Sequence, residues 1–485
     1  MTENKQTNDI IKKIKKAMNS APDYDEWLSY ATELDYIEDK HIWREQDESV
    51  FYHAKLIRQH LNWMQKMRSS NNIDELSTFI QESLYRNYGE ICNPELYQYA
   101  HSGTKKLINE YLDEIETTMW FICDYQSPNI SLSEKISRFK QAQKIFGTSA
   151  LMLSGGGAFG IYHLGVVKAL WKQKLLPKII SGSSMGSIVA AGVCARTDHE
   201  LDDFLTHPEN IYRKALKLAN IKQIFHNQLI MNQEQLFKHI QINVGDFTFQ
   251  EAFTKSGRIL NITVSPTRTR QKPRLLNYIT TPHVMITYSA LASCAIPCVF
   301  SPVLLRAKDD YGLQIPYMPT EKWIDGSVHS DIPMMRISRI HNVNHFIVSQ
   351  ANPHVLPFIT HRHEKGIVPF LKHLFSSMIH AHTAELLEVA RDMTGNQSWR
   401  PLLDKAYAIS KQTYLGDINI HFPFNPLLYR KIASNPSPKD LDMYIKLGER
   451  ATWPRISAIR DQTRISHVFE QIIQKLEKLY NVTKK

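Results

Sequence analysis

Two stretches of sequence decide the fold of this chain: residues 150–160, which read ALMLSGGGAFG, and residues 179–194, which read IISGSSMGSIVAAGVC. Each stretch begins with a short apolar run typical of a buried strand, breaks at glycines, and continues into an apolar pattern typical of a helix. Two further strand-like runs follow at residues 259–264 and 346–349. Strands that alternate with helices predict a mostly parallel sheet covered by helices on both faces. We therefore expect an α/β domain over residues 148–355.

Both flanks of this α/β region show helical periodicity. Residues 1–145 carry successive apolar stripes at helical spacing, which predicts a helical N-terminal domain. Residues 356–485 are expected to form a mainly helical C-terminal extension, with amphipathic helices at residues 367–393 and 456–480.

The composition indicates a folded, basic protein. Hydrophobic residues make up 43% of the 485 residues, and the net charge is +10. The positive charge favours an anionic lipid surface as partner, and no zinc finger, RNA-binding signature or aromatic-interleaved basic tract points to nucleic acid. Residues 1–20 lack the apolar core of a signal peptide, and the most apolar stretch, residues 176–195, is interrupted by Lys178 and two glycines. We expect a cytoplasmic protein with no signal peptide or transmembrane helix, able to associate peripherally with a membrane.

The cysteines and the first helix bear on compartment and lipid contact. Five cysteines without paired spacing predict free thiols in a reducing compartment and no metal site. The first helix has an apolar stripe with four lysines beside it, consisting of Ile10, Ile11, Ile14 and Met18 with Lys12, Lys13, Lys15 and Lys16. This helix either lies on a lipid surface or packs its stripe on protein, and residues 367–393 are a second candidate for lipid contact.

The glycine run at residues 155–160 fits G-x-G-x-x-G at a strand-to-helix turn, which several kinds of site use. A dinucleotide-binding turn requires an acidic residue about 20 positions later, but residues 151–197 contain no Asp or Glu. A phosphate-binding P-loop requires a lysine followed by Ser or Thr, and Ile161 and Tyr162 stand there instead. An oxyanion hole uses converging glycine N–H groups at a helix N-terminus and fits better. A tight turn without a ligand remains an alternative.

Residues 182–186, GSSMG, supply a candidate nucleophile. They fit G-x-S-x-G between a strand and a helix, where a sharp turn lifts the hydroxyl of Ser184 out of the end of the sheet. Gly182 and Gly186 are the small residues that this turn needs two positions before and after the serine. The pattern is common by chance, but the strand–turn–helix context makes it informative.

A serine hydroxyl needs a base, and two kinds of base remain open. Asp325, in the run WIDGS at residues 323–327, follows an apolar stretch and precedes Gly326, which suits a carboxylate at a strand end. The same features would fit a turn aspartate that caps its own loop. A histidine is the alternative, because the order in α/β-hydrolases is Ser, Asp, His. Histidines that satisfy this order are His354, His361, His363, His373, His380 and His382.

The glycine run, the serine elbow and the Asp-Gly pair, in this order, resemble the patatin-like phospholipase family. The similarity is closest to its branch of triacylglycerol lipases from lipid-storing fungi and plants. Residues 150–168, 292–302 and 349–354 resemble that branch almost throughout. Shorter similar segments outside the α/β region lie at residues 85–89, 103–105, 414–418 and 448–454.

The resemblance implies a patatin-like three-layer α/β/α sandwich and a serine hydrolase without metal or cofactor. It implies a Ser-Asp dyad without histidine, with Ser184 as nucleophile and Asp325 as base. The oxyanion hole would come from the N–H groups of Gly155, Gly156 and Gly157, and Gly160, Gly182, Gly186 and Gly326 would complete the motifs. His163 is expected to be a packed helix residue.

Two positions depart from the common pattern of the family. Many phospholipase members carry Arg or Lys where this chain has Phe159, so we expect a neutral glyceride more than a charged headgroup. Ser327 stands where Ala or Gly is common, a small change that we expect to be tolerated.

The sequence therefore predicts a lipid acyl hydrolase that cleaves esters of acylglycerols or phospholipids, similar to a triacylglycerol lipase. The alternatives are a phospholipase A or lysophospholipase, and a lipid-binding protein with a vestigial site. An oxidoreductase is disfavoured by the missing acidic residue. The expected partners are the lipid substrate and a lipid surface, and the oligomeric state is left undetermined.

Overall fold

A computed structural model of the chain describes residues 2–126, 130–218, 231–268, 271–297, 299–327, 331–353, 355–356, 415–423 and 425–483. The described part before the sheet is helical, as expected. Its α-helices are α1 (Thr2–Ser20), α2 (Tyr24–Ile37), α3 (Lys40–Glu45), α4 (Ala54–Ser69), α5 (Ile73–Glu82), α6 (Lys106–Asp124) and α7 (Leu132–Phe146).

The apolar stripe of α1 packs partly on protein: Ile14 is buried, Ile11 and Met18 are half-buried, and Ile10 is exposed. Helix α1 packs along α2, and Ile14 is buried there. Lys12, Lys13 and Lys16 face solvent, and Lys15 forms an ion pair with a glutamate that follows α2. Of the two arrangements considered for this helix, the structure shows the one in which the stripe packs on protein and the lysines remain solvated.

The central sheet of the described chain has seven strands and is mostly parallel. They are β1 (Thr148–Leu153), β2 (Ile179–Gly182), β3 (Ile259–Pro266), β4 (Arg274–Leu276), β7 (Trp323–Asp325), β8 (Val343–Gln350) and β9 (Ile418–His421). A separate hairpin contains β5 (Arg306–Lys308) and β6 (Gln314–Pro316). The strand order is β4-β3-β2-β1-β8-β9, with β7 also paired to β3. Only β4 and β7 run antiparallel to their neighbour, so the predicted α/β fold is confirmed.

Helices cover both faces of the sheet. They are α8 (Tyr162–Lys172), α9 (Met185–Cys194), α10 (Asp198–Thr206), α11 (Gln233–Val244), α12 (Phe249–Ser256), α13 (Ile286–Ser293), α14 (Met334–His341), α15 (Pro438–Thr452) and α16 (Ile456–Thr483). Alternate residues of β1 enter two different cores. Leu151 and Leu153 join the large core, whereas Ala150 and Met152 join a smaller core with Ile337 of α14. Burial on both faces explains why β1 reads as a continuous apolar run.

The C-terminal region contributes a strand as well as helices. Strand β9 pairs in parallel with β8 and forms one edge of the sheet. The sequence analysis did not predict this strand, because four residues are too few to show a period. Helix α16 contains the helix expected at residues 456–480, and it packs on α6, α7 and β1. The helix expected at residues 367–393 lies outside the described residues.

Helices α8 and α15 cross in direct backbone contact. A Cβ added to Gly448 would lie 2.2 Å from the carbonyl oxygen of Tyr162 and 2.9 Å from Cα of Gly165. A Cβ added to Gly165 would lie 1.9 Å from the carbonyl oxygen of Ile445. Glycine at both positions therefore allows the C-terminal region to pack directly on the helix that follows the glycine loop.

Gly448→Ala is expected to lower the free energy of unfolding by about 2 kcal/mol or more, because the methyl group must push two helices apart. The measurement is the urea midpoint or Tm of the variant against the parent protein. Gly192→Ala is the matched control, since Gly192 also lies within a helix but its added Cβ would be no closer than 3.5 Å to its neighbours. Equal stability of the two variants would contradict the backbone contact.

Candidate active site

The ends of β2 and β7 meet along one edge of β3. Gly182, the last residue of β2, pairs with β3 two positions before Val264, and Asp325, the last residue of β7, pairs with Val264 itself. On the opposite edge of β3, Arg274 of β4 pairs with Val264. Strands β2 and β7 therefore lie on the same edge of β3, one after the other. Ser184 follows β2 by two residues. The register of the sheet therefore brings Ser184 and Asp325 together.

Ser184 occupies a sharp turn between β2 and α9. Its backbone has φ 49° and ψ −126°, a conformation that residues other than glycine rarely adopt. A Cβ on Gly182 would lie 2.2 Å from the carbonyl oxygen of Gly186, so the turn requires small residues. The N–H of Ser184 donates to Oγ of Ser293 at 3.0 Å, and the carbonyl oxygen of Ser184 accepts from the hydroxyl of Ser187 at 2.6 Å. These bonds hold the strained turn in place.

Asp325 is a buried carboxylate whose pKa is raised. Its side chain is 1% exposed, and its backbone N–H donates to the carbonyl oxygen of Ala295 at 3.0 Å. Burial raises the pKa of Asp325 to about 6, and hydrogen bonds from Ser327 and from the side chain of Ser184 oppose that increase. The N–H of Ser327 donates to Oδ1 at 2.8 Å. Above pH 6 the ionised carboxylate can accept the proton of the Ser184 hydroxyl.

The glycine loop offers its N–H groups unequally. The N–H of Gly155 donates to Oδ1 of Asp331 at 2.9 Å, so it is already engaged. Within the described ranges, no acceptor in the protein bonds the N–H of Gly156 or Gly157, and Gly157 is exposed. A Cβ on Gly155 would lie 3.3 Å from Cβ of Ser184, so the loop faces the serine turn. Of the three donors that the sequence analysis expected, one is engaged within the protein and two have no acceptor among the described residues.

Asp331 and Asn352 are part of this site and were missed by the sequence analysis. The Asp331 carboxylate is 3% exposed and accepts from the N–H of Gly155 and from Nδ2 of Asn352. Burial raises the pKa of Asp331 to about 7; the bond from Gly155 opposes the increase, and the negative charge of Asp325 adds to it. No glycine pattern or apolar strand marks Asp331 in the sequence, so only the structure connects it with the loop.

The side chain of Phe159 packs inside the protein, so it gives no direct support to the expected preference for a neutral glyceride. Its side chain is fully buried and stacks on Phe422 with ring centroids 4.6 Å apart. Tyr429 and Tyr444 contact the same ring edge-on. Because the ring belongs to an aromatic cluster inside the protein, its identity says nothing direct about the headgroup. The other motif glycine of this turn, Gly160, packs against Met185, since an added Cβ would lie 2.4 Å from that side chain.

Other titratable groups near the site are neutral. His163 is buried between the carbonyl oxygen of Ser154 at 2.9 Å and Oγ of Ser349 at 2.7 Å, as expected for a packed residue. Burial lowers the pKa of His163 to about 4. Burial also holds the pKa of the Cys294 thiol well above its usual range. Neither group competes with Asp325 as a base at neutral pH.

The six candidate histidines after residue 353 all lie outside the described residues. Across the residues that the structure describes, no group of His, Cys, Asp and Glu side chains is placed to hold a metal ion. Within the same part of the chain, no helix is both long and apolar enough to cross a membrane.

Comparison with known proteins identifies the family of the chain. The model of the patatin-like phospholipase family matches residues 151–336. The chain is 35% identical over 464 residues to triacylglycerol lipase ptl3 of Schizosaccharomyces pombe. The matched region covers 93% of this chain and 95% of that protein. The chain belongs to the patatin-like phospholipase family. The resemblance drawn from its motifs is confirmed.

The similarity to relatives in this family extends beyond the catalytic region. A family model described as a domain of unknown function, DUF3336, matches residues 4–144. The chain is 33% identical to triacylglycerol lipase SDP1L of Arabidopsis thaliana and 32% identical to triacylglycerol lipase 5 of Saccharomyces cerevisiae. These matches cover 94% and 93% of this chain but 58% and 64% of those longer relatives. The helical N-terminal region is therefore shared within this group.

Asp331→Asn is expected to stabilise the protein more near pH 8.5 than near pH 5. The folded-state pKa of about 7 lies above the ordinary 3.8, so the parent protein loses stability progressively as pH rises from about 4 to about 7, and the loss is complete above 7. An asparagine keeps an acceptor for Gly155 without a buried charge, and a rotation of the Asn352 amide would place its oxygen opposite the new NH2 group. We expect a gain on the order of a few kcal/mol at the higher pH, measured as Tm at both pH values.

The control for this experiment is Asp310→Asn, because Asp310 is exposed. It should leave Tm unchanged at both pH values. A Tm difference for Asp331→Asn that is the same at the two pH values would show that the carboxyl group does not ionise in this range.

Proposed function

We propose that the protein is a serine lipid acyl hydrolase of the triacylglycerol lipase type, acting through a Ser184–Asp325 dyad. The observation that carries the proposal is the strained serine at the start of α9 beside a buried carboxylate with a pKa of about 6. A general base works best when its pKa lies near the working pH, because it is then ionised and still basic. The arrangement needs no histidine.

The proposed reaction begins with acyl transfer to the serine. Asp325 takes the hydroxyl proton while Oγ of Ser184 bonds to the carbonyl carbon of the ester. The carbonyl oxygen becomes anionic, and the N–H groups of Gly156 and Gly157 with the N-terminus of α9 stabilise it. The bond to the glycerol oxygen then breaks, and the proton on Asp325 passes to the leaving alcohol. The acyl group stays on Ser184 as an ester.

Water completes the proposed cycle. Asp325 takes a proton from water, whose oxygen attacks the acyl carbon and forms a second oxyanion at the same two N–H groups. The bond to Oγ breaks, the proton returns to Ser184, and the fatty acid leaves. Asp331 would act through the loop, since its bond to Gly155 sets the direction of the next two N–H groups.

The class of substrate rests on the relatives. Four of the similar proteins are named triacylglycerol lipases, which supports acylglycerols as substrates. The family description names phospholipases, so phospholipase A or lysophospholipase activity is the alternative with the same chemistry. Phe159 is buried and does not separate these cases. Hydrolysis of triacylglycerol, diacylglycerol, phospholipid and lysophospholipid, measured side by side, does.

Contact with a lipid surface is proposed on electrostatic grounds. The chain carries a net charge of +10, and the lysines of α1 at positions 12, 13 and 16 face solvent. Basic residues near an anionic membrane contribute about 1 kcal/mol each. Of the apolar stripe of α1, Ile14 is buried and Ile10 is exposed, so this attraction would come mainly from charge.

Ser184→Ala and Asp325→Asn are each expected to reduce ester hydrolysis at least about 10³-fold, since each removes one member of a coupled unit. Initial rates with a soluble ester and with emulsified triacylglycerol provide the measurement. Ser69→Ala and Asp310→Asn, at exposed positions, are the matched controls and should keep full activity. Retained hydrolysis in either dyad variant would overturn the proposed dyad.

A further inference from the structure

A basic segment leaves the sheet at the edge where Ser184 lies. Residues 267–274, which read TRTRQKPR, connect β3 to β4 and contain four cations and no acidic residue. Strand β3 runs parallel to β2, so it ends at the same edge of the sheet as the strand that leads to Ser184. Asp325 pairs with Val264, shortly before this segment begins. Because a strand advances about 3.3 Å per residue, the segment starts roughly 10 Å beyond Asp325.

Backbone contacts hold the described part of this segment in place. At its start, the N–H of Thr267 donates to the carbonyl oxygen of Lys322, the residue before β7, at 3.0 Å. Near its end, the side chain of Arg336 from α14 donates to the carbonyl oxygen of Pro273. The segment is therefore anchored at both ends, and the first contact brings Lys322 beside it as a further cation.

The positive charge of this surface is largely left without a counter-charge. Glu321 is the one acidic residue in residues 317–323, which adjoin the basic segment, and it is buried beside Arg268 at 3.2 Å. Three cations of this surface are exposed and form no ion pair within the described ranges, namely Lys272, Arg274 and Lys322. We call these three residues the basic patch.

An exposed apolar side chain stands next to the basic patch. Met335, near the start of α14, is 70% exposed, and the residue that follows it is the one that donates to Pro273. Cations beside an exposed apolar side chain match the boundary between anionic headgroups and acyl chains, where each kind of side chain finds a partner. The phosphates of a nucleic acid would match the cations but not Met335.

We propose that the basic patch and Met335 dock the protein on an anionic phospholipid surface, with the edge of the sheet that leads to Ser184 facing the lipid. The occupant follows from charge complementarity and from the position of the patch at the edge that carries the proposed nucleophile. The inference rests on the proposed function, in which Ser184 must meet an ester held in a lipid layer. It adds a docking surface on the catalytic region and thereby the orientation of the bound protein.

The experiment measures co-sedimentation with vesicles of phosphatidylcholine, with and without about 30% phosphatidylserine. The patch variant combines Lys272→Gln, Arg274→Gln and Lys322→Gln. Each cation near an anionic surface contributes about 5-fold to affinity, so the patch variant should bind the anionic vesicles at least about 30-fold more weakly than the parent protein. Its binding to vesicles of phosphatidylcholine alone should change less than about 2-fold.

A charge-matched control removes three exposed lysines from helices α4 and α6, as Lys55→Gln, Lys66→Gln and Lys106→Gln. It lowers the net charge equally and should weaken binding to the anionic vesicles less than about 3-fold. Met335→Ser leaves the charge unchanged and should weaken that binding at least about 3-fold, because it removes the apolar contact. Salt at about 0.5 M should remove most of the difference between the parent protein and the patch variant.

All proteins in the binding experiment carry Ser184→Ala, so that the dyad consumes no lipid, and their Tm values report folding. Equal affinity of the patch variant and the charge-matched control for the anionic vesicles overturns the inference, as does full binding by Met335→Ser. A loss of affinity confined to a single-stranded oligonucleotide would assign the patch to nucleic acid and also overturn it. Failure of the proposed function is distinct, because vesicle binding is measured without ester hydrolysis.

Discussion

The antiparallel pairing of Val264 with Asp325 is the contact on which the candidate site depends. The pairing of β2 with β3 ends at Gly182, and β7 pairs with the same edge of β3 from Val264 onward. A strand of three residues thereby delivers a carboxylate to the turn that carries Ser184. Neither residue would be useful without this register, since a shift by one residue would turn the Asp325 side chain to the opposite face.

The turn around Ser184 is strained, and its neighbours offset that strain. Hydrogen bonds from Ser184 to Ser293 and from Ser187 to Ser184 fix the backbone on both sides of the serine. A nucleophile held in one orientation loses little entropy on reaction, which is one way in which enzymes lower a barrier. The N-terminus of α9 adds a favourable potential for the oxyanion.

A second carboxylate, Asp331, links the loop to the rest of the site. It connects the segment after β7 with Gly155 after β1 and with Asn352 after β8. Three strand ends are thus joined by one buried side chain. The same bond engages the N–H of Gly155, whereas the N–H groups of Gly156 and Gly157 have no acceptor among the described residues.

The sequence indicated the fold because β1 and β2 are buried on both faces and each is followed by glycines. Ser184 could be predicted for the same reason, since the turn requires Gly182 and Gly186 at fixed positions. Asp325 was suggested mainly by family resemblance, because its pairing with β3 involves residues 60 positions away and leaves no local pattern. Strand β9 and Asp331 were missed because neither leaves a recognisable local pattern in the sequence. The burial of Phe159 could not be predicted, because a motif position does not reveal which way its side chain points.

The central claim is that Asp325, and no histidine, activates Ser184. The most direct test is the rate of covalent labelling by a fluorophosphonate as a function of pH, with the modified peptide identified by mass spectrometry. The account predicts one adduct, on Ser184, whose rate of formation rises through about pH 6, in line with the raised pKa of Asp325, and is at least about 10³-fold slower in Asp325→Asn. An adduct on another residue, or equally fast labelling of Asp325→Asn, would contradict it.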